Sequence, residues 1–283
     1  MIDAILDALI DGGKLLPFLF ATYLVMEWIE HKTSDKTRLA IKNAGKWGPL
    51  LGGAFGVVPQ CGFSTVAANL YAGKIISLGT LLAIFLSTSD EMLPIFLSEQ
   101  VNIVLIGKIL FLKMLIGVAA GYLIDLFTKK YTHMGGELRI GNLCEKEHCH
   151  CDKGLFKSAA KHTLNIFFFI LVVSFLLNLV IGMVGEDQLS QLVIAKPVIA
   201  ELLAGVVGLI PNCAASVVLT QLYLEGIIGF GAVMSGLLVG AGVGLLVLFK
   251  MNRPLIENIK ITILLYVIGV SIGVIIDVSG FMI

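Results

Sequence analysis

Leu50–Gly79 reads LLGGAFGVVPQCGFSTVAANLYAGKIISLG, and Leu202–Gly231 reads LLAGVVGLIPNCAASVVLTQLYLEGIIGFG. The two stretches overlay without a gap at an offset of 152 residues (202 minus 50), which brings Pro59 onto Pro211, Cys61 onto Cys213, Ser64 onto Ser216 and Tyr71 onto Tyr223. Lys108–Asp125 and Lys260–Asp277 continue the same register. Leu, Ile, Val and Gly can coincide by composition in an apolar chain. Prolines, cysteines, lysines and acids do not coincide in one register unless a unit has been duplicated. The chain therefore divides into a first repeat over 1–130, a linker over 131–160 and a second repeat over 161–283.

The repeated unit is made for lipid. Of the 283 residues 57% are hydrophobic and 14% charged, with a mean hydropathy of +0.95. A soluble domain carries about a quarter charged residues. Leu15–Ile29, Val104–Phe127, Leu164–Val184, Phe230–Phe249 and Ile261–Val278 are apolar runs of roughly bilayer-spanning length. They are continuous rather than alternating, so they predict helices and not barrel strands. The start of the chain lacks a basic segment and a small-residue cleavage site, so Leu15–Ile29 reads as a retained helix.

The net charge of zero hides an asymmetry. Lys32, Lys36, Arg38, Lys42 and Lys46, the segment Lys129–Lys161, and Lys250–Lys260 concentrate the positive charge. Those loops are expected in the cytoplasm. Asp3, Asp7 and Asp11, and the Glu186/Asp187 loop, are expected outside. One repeat then begins outside and ends inside, and the other does the reverse, so the copies are inverted, with both termini outside and the central loop cytoplasmic. The fold expected is an all-α polytopic membrane protein with two inverted five-element repeats. Each has a long helix, two short segments meeting at Pro-x-Cys, a Gly-rich helix and a long final helix. The short segments, Pro49–Val58 with Gln60–Gly73 and Ile199–Ile210 with Asn212–Leu224, reach only about 15–21 Å, which suits broken helices or a helical hairpin.

The Pro-x-Cys breaks are the main candidates for chemistry. Proline frees a carbonyl, and the segment after it begins with unpaired N–H groups. Gln60, Cys61 and Ser64, with Asn212, Cys213 and Ser216, then offer amide, thiol and hydroxyl within one turn of each break. The bland reading is a kink where small residues let helices pack closely; an unsatisfied polar cluster in lipid, present twice, favours a pathway lining. Asp90 and Glu91 follow Ser87-Thr88-Ser89 and have no acidic counterpart in the second copy. They are candidates for cation binding or proton exchange if they lie in the membrane, and interface residues if they do not. Lys113 either pairs with one of them or snorkels to an interface. In the linker, Cys144, His148, Cys149, His150 and Cys151 gather thiolate and imidazole ligands suited to borderline or soft metals. Their spacing is that of a labile site rather than a structural zinc knuckle, and a reducing cytosol keeps the thiols free.

Several classes are disfavoured. No phosphate-cradling Gly-x-x-x-x-Gly-Lys-Ser/Thr motif is present, so ATP is not this chain's own energy source. Arg38, Arg139 and Arg253 are the only arginines and fall in predicted loops, which counts against carriers that grip phosphate. Topology explains the basic loops without nucleic acid. The histidines lie in or beside loops, which leaves an intramembrane enzyme little support.

With its paired Val58-Pro59-Gln60-Cys61-Gly62 and Ile210-Pro211-Asn212-Cys213-Ala214 segments, the Ser-Thr-Ser-Asp90-Glu91 stretch and the Cys/His-rich loop, the chain resembles the ten-transmembrane heavy-metal exporters, also labelled arsenic-efflux-like or manganese transporters. The resemblance spans nearly the whole chain. It implies a secondary-active exporter of a metal cation or metalloid (Mn, Zn or As(III)) in the inner membrane, not an enzyme. No cofactor is required, a divalent metal is transported or regulatory, and proton coupling is expected. Thiols favour a soft ion, and two carboxylates favour Mn. The rival reading is a channel or small-organic-solute permease with a regulatory metal-binding loop. Oligomeric state and coupling ion stay open.

Overall fold

Ser77 caps the N-terminus of a buried helix, its Oγ accepting from the Thr80 amide at 3.1 Å. That helix, Leu78–Ser87, ends where three consecutive hydroxyls turn back on the chain. Thr88 and Ser87 donate to the carbonyl of Ile84 at 2.7 and 3.1 Å, and Ser89 donates to the carbonyl of Ser87. Such side chains compete with the backbone ladder and stop a helix inside apolar surroundings without leaving its last carbonyls bare. The computed structural model describes residues 47–58, 61–89, 92–128, 198–211 and 213–280, with scattered single positions in 17–45 and 160–172. The predicted first helices of the two halves, Leu15–Ile29 and Leu164–Val184, lie almost wholly outside the described residues, as does the 131–160 linker except Ala160.

Among the described residues every regular element is helical. The first half contributes α1 (Gly48–Gly56), α2 (Cys61–Ala72), α3 (Leu78–Ser87), α4 (Met92–Ser98) and α5 (Ile103–Thr128). The second contributes α6 (Ile199–Gly208), α7 (Cys213–Leu224), α8 (Phe230–Val239), α9 (Val243–Met251) and α10 (Leu255–Ser279). Adding 152 to the bounds of α2 and α3 gives those of α7 and α8. One expectation is corrected: the Gly-rich helix of each half is two helices. In the second half Phe230–Phe249 looks continuous by hydropathy, yet α8 stops at Val239. Gly242 takes φ +53° and ψ −141°, a backbone that L side chains rarely adopt, so the chain turns there before α9.

Among the described residues, three stretches are long and apolar enough to cross a bilayer: Ile103–Thr128, Phe230–Met251 and Leu255–Val278. The chain is a membrane protein whose middle stretch is enclosed and whose other two lie at the edge. Every residue of α8 is buried, whereas Phe111, Leu115 and Leu123 of α5 and Ile259, Ile263 and Val267 of α10 are exposed at helical spacing. Lipid covers those stripes at no cost.

Lipid tails are as apolar as leucine, so small residues and close backbone contact must hold the helices together. Gly121 on α5 and Gly79 on α3 provide this: a Cβ on Gly121 would fall 2.6 Å from the Gly79 carbonyl oxygen. Gly273 on α10 meets Gly231 on α8 in the same way at 2.5 Å. Each crossing is fastened by an acid one turn on. Asp125 accepts from the Gly79 amide at 3.0 Å and from Ser77 Oγ at 2.7 Å, and Asp277 accepts from the Gly231 amide at 3.1 Å. Among the described residues the halves meet through α2 against α9, α4 against α7, and α3 against both α8 and α10.

Candidate functional site

Between the halves these contacts leave a cavity of about 20 Å³, room for one water molecule or one bare ion. Its wall comes from the ends of interrupted helices. Thr88 and Ser89 lie in the α3–α4 break, Ile210 in the α6–α7 break, and Gly240 and Gly242 in the α8–α9 break. Ser216, in the first turn of α7, and Gly236 and Leu237 of α8 complete it. Helix ends inside a bundle expose carbonyl oxygens and N–H groups that a continuous helix would spend on itself. The described wall sets the hydroxyls of Thr88, Ser89 and Ser216 and the backbone of Gly236, Gly240 and Gly242 into a larger apolar surface that Ile210 and Leu237 share.

Lys113 fixes the depth of this place. It lies ten residues into α5, about 15 Å from that helix's start and near its middle. It is fully buried, and its ammonium donates to the carbonyl of Leu237 at 3.0 Å and to that of Thr88. The amine therefore turns inward and does not snorkel. Ser87, Thr88 and Ser89 are 0–2% exposed, so this break in the chain lies in the protein interior at the level of mid-α5.

Of the predicted substrate-binding residues, Ser64 and Ser216 have described side chains. Ser216 lines the cavity. Ser64 does not: it is fully buried against α9, where a Cβ on Gly244 would sit 2.7 Å from the Ser64 Cβ. Cys61 and Cys213 open α2 and α7, but their side chains lie outside the described residues, as do Gln60, Asn212, Asp90 and Glu91. Cys144, His148, Cys149, His150 and Cys151 lie there too. Among the described residues no three His, Cys, Asp or Glu side chains gather to hold a metal.

Sequence reading missed Leu237, Gly240 and Gly242. The paired glycines of Gly240-Ala241-Gly242 were the available signal, since glycine inside an apolar run marks a turn or a close approach. It also missed a contact on one side of the bundle. Tyr71 at the end of α2 donates its hydroxyl to Glu257 in the first turn of α10, and Lys74 lies 3.5 Å from the same carboxylate oxygen.

A family model described as "Putative, 10TM heavy-metal exporter" matches residues 1–187, roughly two thirds of the chain. No curated protein and no solved structure matches.

Proposed function

The chain belongs to the 10TM family named for heavy-metal export, and from that premise we propose that it is a secondary-active transporter moving a metal cation or metalloid out across the inner membrane by alternating access. The observation that carries the reading is the ion-sized cavity at which three helix interruptions from both halves meet. Irregular backbone at membrane depth persists where it is buried in protein or lines a cavity, and transporters built from repeats bind their substrates at such breaks. A cavity of this size suits an ion better than an organic solute.

The halves are read as inverted copies, 1–130 and 161–283. What supports the inversion is the Tyr71 and Lys74 contact with Glu257. The Gly79–Asp125 bond sets the start of α3 level with the end of α5. Lys74, just before α3, sits beside the start of α10. The start of α10 is then level with the end of its counterpart α5, so the two run in opposite directions. The positive-inside rule gives that end to the cytoplasm, next to Lys129 and Lys130, and leaves both chain termini outside.

In this reading Ser216, with Gln60, Cys61, Asn212 and Cys213 at the breaks, contacts the substrate, and Ser64 shapes the α2–α9 seam behind it. Asp90 and Glu91 follow Ser89 directly. Their two negative charges outweigh the single positive charge of Lys113 and leave the region attractive to a cation. The cytoplasmic Cys144–Cys151 loop captures metal for delivery. The test is uptake of Mn, Zn and arsenite into proteoliposomes containing the purified chain. Saturable uptake of one of them, dependent on an opposing proton gradient, is expected. Linear, gradient-independent flux would replace the carrier with a channel, and no flux of any metal would remove the reading.

A further inference from the structure

Glu201, in the first turn of α6, is fully buried, and neither of its carboxyl oxygens has a hydrogen-bond partner. α6 packs on α10 so that Gly205, one turn after Glu201, meets Val270 and Tyr266, and the Glu201 carboxyl lies within reach of that of Asp277 near the end of α10, which is itself exposed. The first half arranges the same place differently. At the offset of 152, Glu201 corresponds to Pro49, Asp277 to Asp125, and Gly229 to Ser77. Pro49 packs beside Gly121, one turn from Asp125, and Asp125 takes its second hydrogen bond from the Ser77 hydroxyl. In the second half the backbone donor persists, Gly231 to Asp277. The hydroxyl is gone, and a carboxyl has been added.

A carboxylate only accepts hydrogen bonds, whereas a carboxylic acid also donates one. Two carboxyls in contact, one of them sealed from water, do not both ionise without a cation between them. None is at hand among the described residues. Of the elements packed against α6, α8 carries no titratable side chain, and α7 carries Cys213 and Tyr223. Tyr223 is packed between the rings of Phe96 and Phe230. On α10, Tyr266 donates to the carbonyl of Leu202, and Glu257 and Lys260 lie about 25–30 Å away along the helix axis.

We propose that Glu201 and Asp277 form a proton-binding site: Glu201 holds the proton as a neutral acid and donates its O–H to the Asp277 carboxylate, which opens to the surroundings. Resting on the exporter reading, this end of the bundle is the outer one, and the pair is where the counter-moving proton is taken up.

Infrared spectroscopy on the full chain in lipid nanodiscs at neutral pH tests the site without any substrate, so its outcome is independent of whether the protein exports metal. The difference spectrum of wild type minus Glu201→Gln is expected to show a protonated carboxyl C=O band that shifts in heavy water. Loss of ionised-carboxylate bands instead would overturn the proposal. Glu201→Ala combined with Gly229→Ser rebuilds the hydroxyl of the first half and serves as the second variant. It should lose the same acid band, and its losing only carboxylate bands would likewise overturn the site.

Discussion

The ammonium of Lys113 lies 3.0 Å from the carbonyl oxygen of Leu237, a residue 124 positions further along the chain. With its second bond to Thr88, this one side chain joins α5 to the end of α3 and to α8, behind the cavity that both carbonyl-bearing residues line. Removing the amine leaves two buried carbonyls short of a donor, at about 1–3 kcal/mol each. Leu265 occupies the matching place in the second half, so the shape of leucine is tolerated there. Lys113→Leu is expected to fold but to melt several degrees lower in detergent. An unchanged melting temperature would show that the bonds to Thr88 and Leu237 contribute nothing net.

The glycine crossings make a contrast on a single helix. Gly121→Ala places a Cβ 2.6 Å from the Gly79 oxygen and 2.9 Å from the Ala83 Cβ, whereas Gly107 on the same helix has nothing within 4 Å. Gly121→Ala should lower the melting temperature by pushing α3 and α5 apart. Gly107→Ala should leave it equal or slightly higher, since alanine favours a helix by roughly 0.5–1 kcal/mol over glycine. Equal losses in the two variants would mean that the close approach is not what holds these helices.

Asp90→Asn with Glu91→Gln removes both negative charges beside Ser89 while keeping size. The double variant should reach the membrane at wild-type levels, keep its melting temperature and lose metal uptake in proteoliposomes. Full uptake by this variant would take the carboxylates out of the mechanism.

How much of this was legible follows from what kind of signal each feature leaves. The matched residues of the two halves foretold where α1, α2, α6 and α7 lie, because proline and small polar residues punctuate a helix locally. The interruption between α8 and α9 was hidden, since hydropathy averages over a window in which two glycines and an alanine still count as apolar. Lys113 could be read either way from sequence. Its direction depends on carbonyls exposed by helix ends that only the packed bundle supplies. Glu201 left its trace in a mismatch, an acid opposite Pro49, and its partner lies 76 positions away (277 minus 201). The depth of Thr88 needed the bond from mid-α5, because apolar runs do not report where a break sits along them.

The cavity between the halves is tested most directly by filling it. Ser216→Leu adds apolar bulk to a wall that encloses about 20 Å³, and the measurement is initial metal uptake into proteoliposomes beside wild type at matched protein content. Uptake reduced at least tenfold, with an unchanged melting temperature, is the predicted result. Uptake at the wild-type rate would place the ion route somewhere other than this cavity.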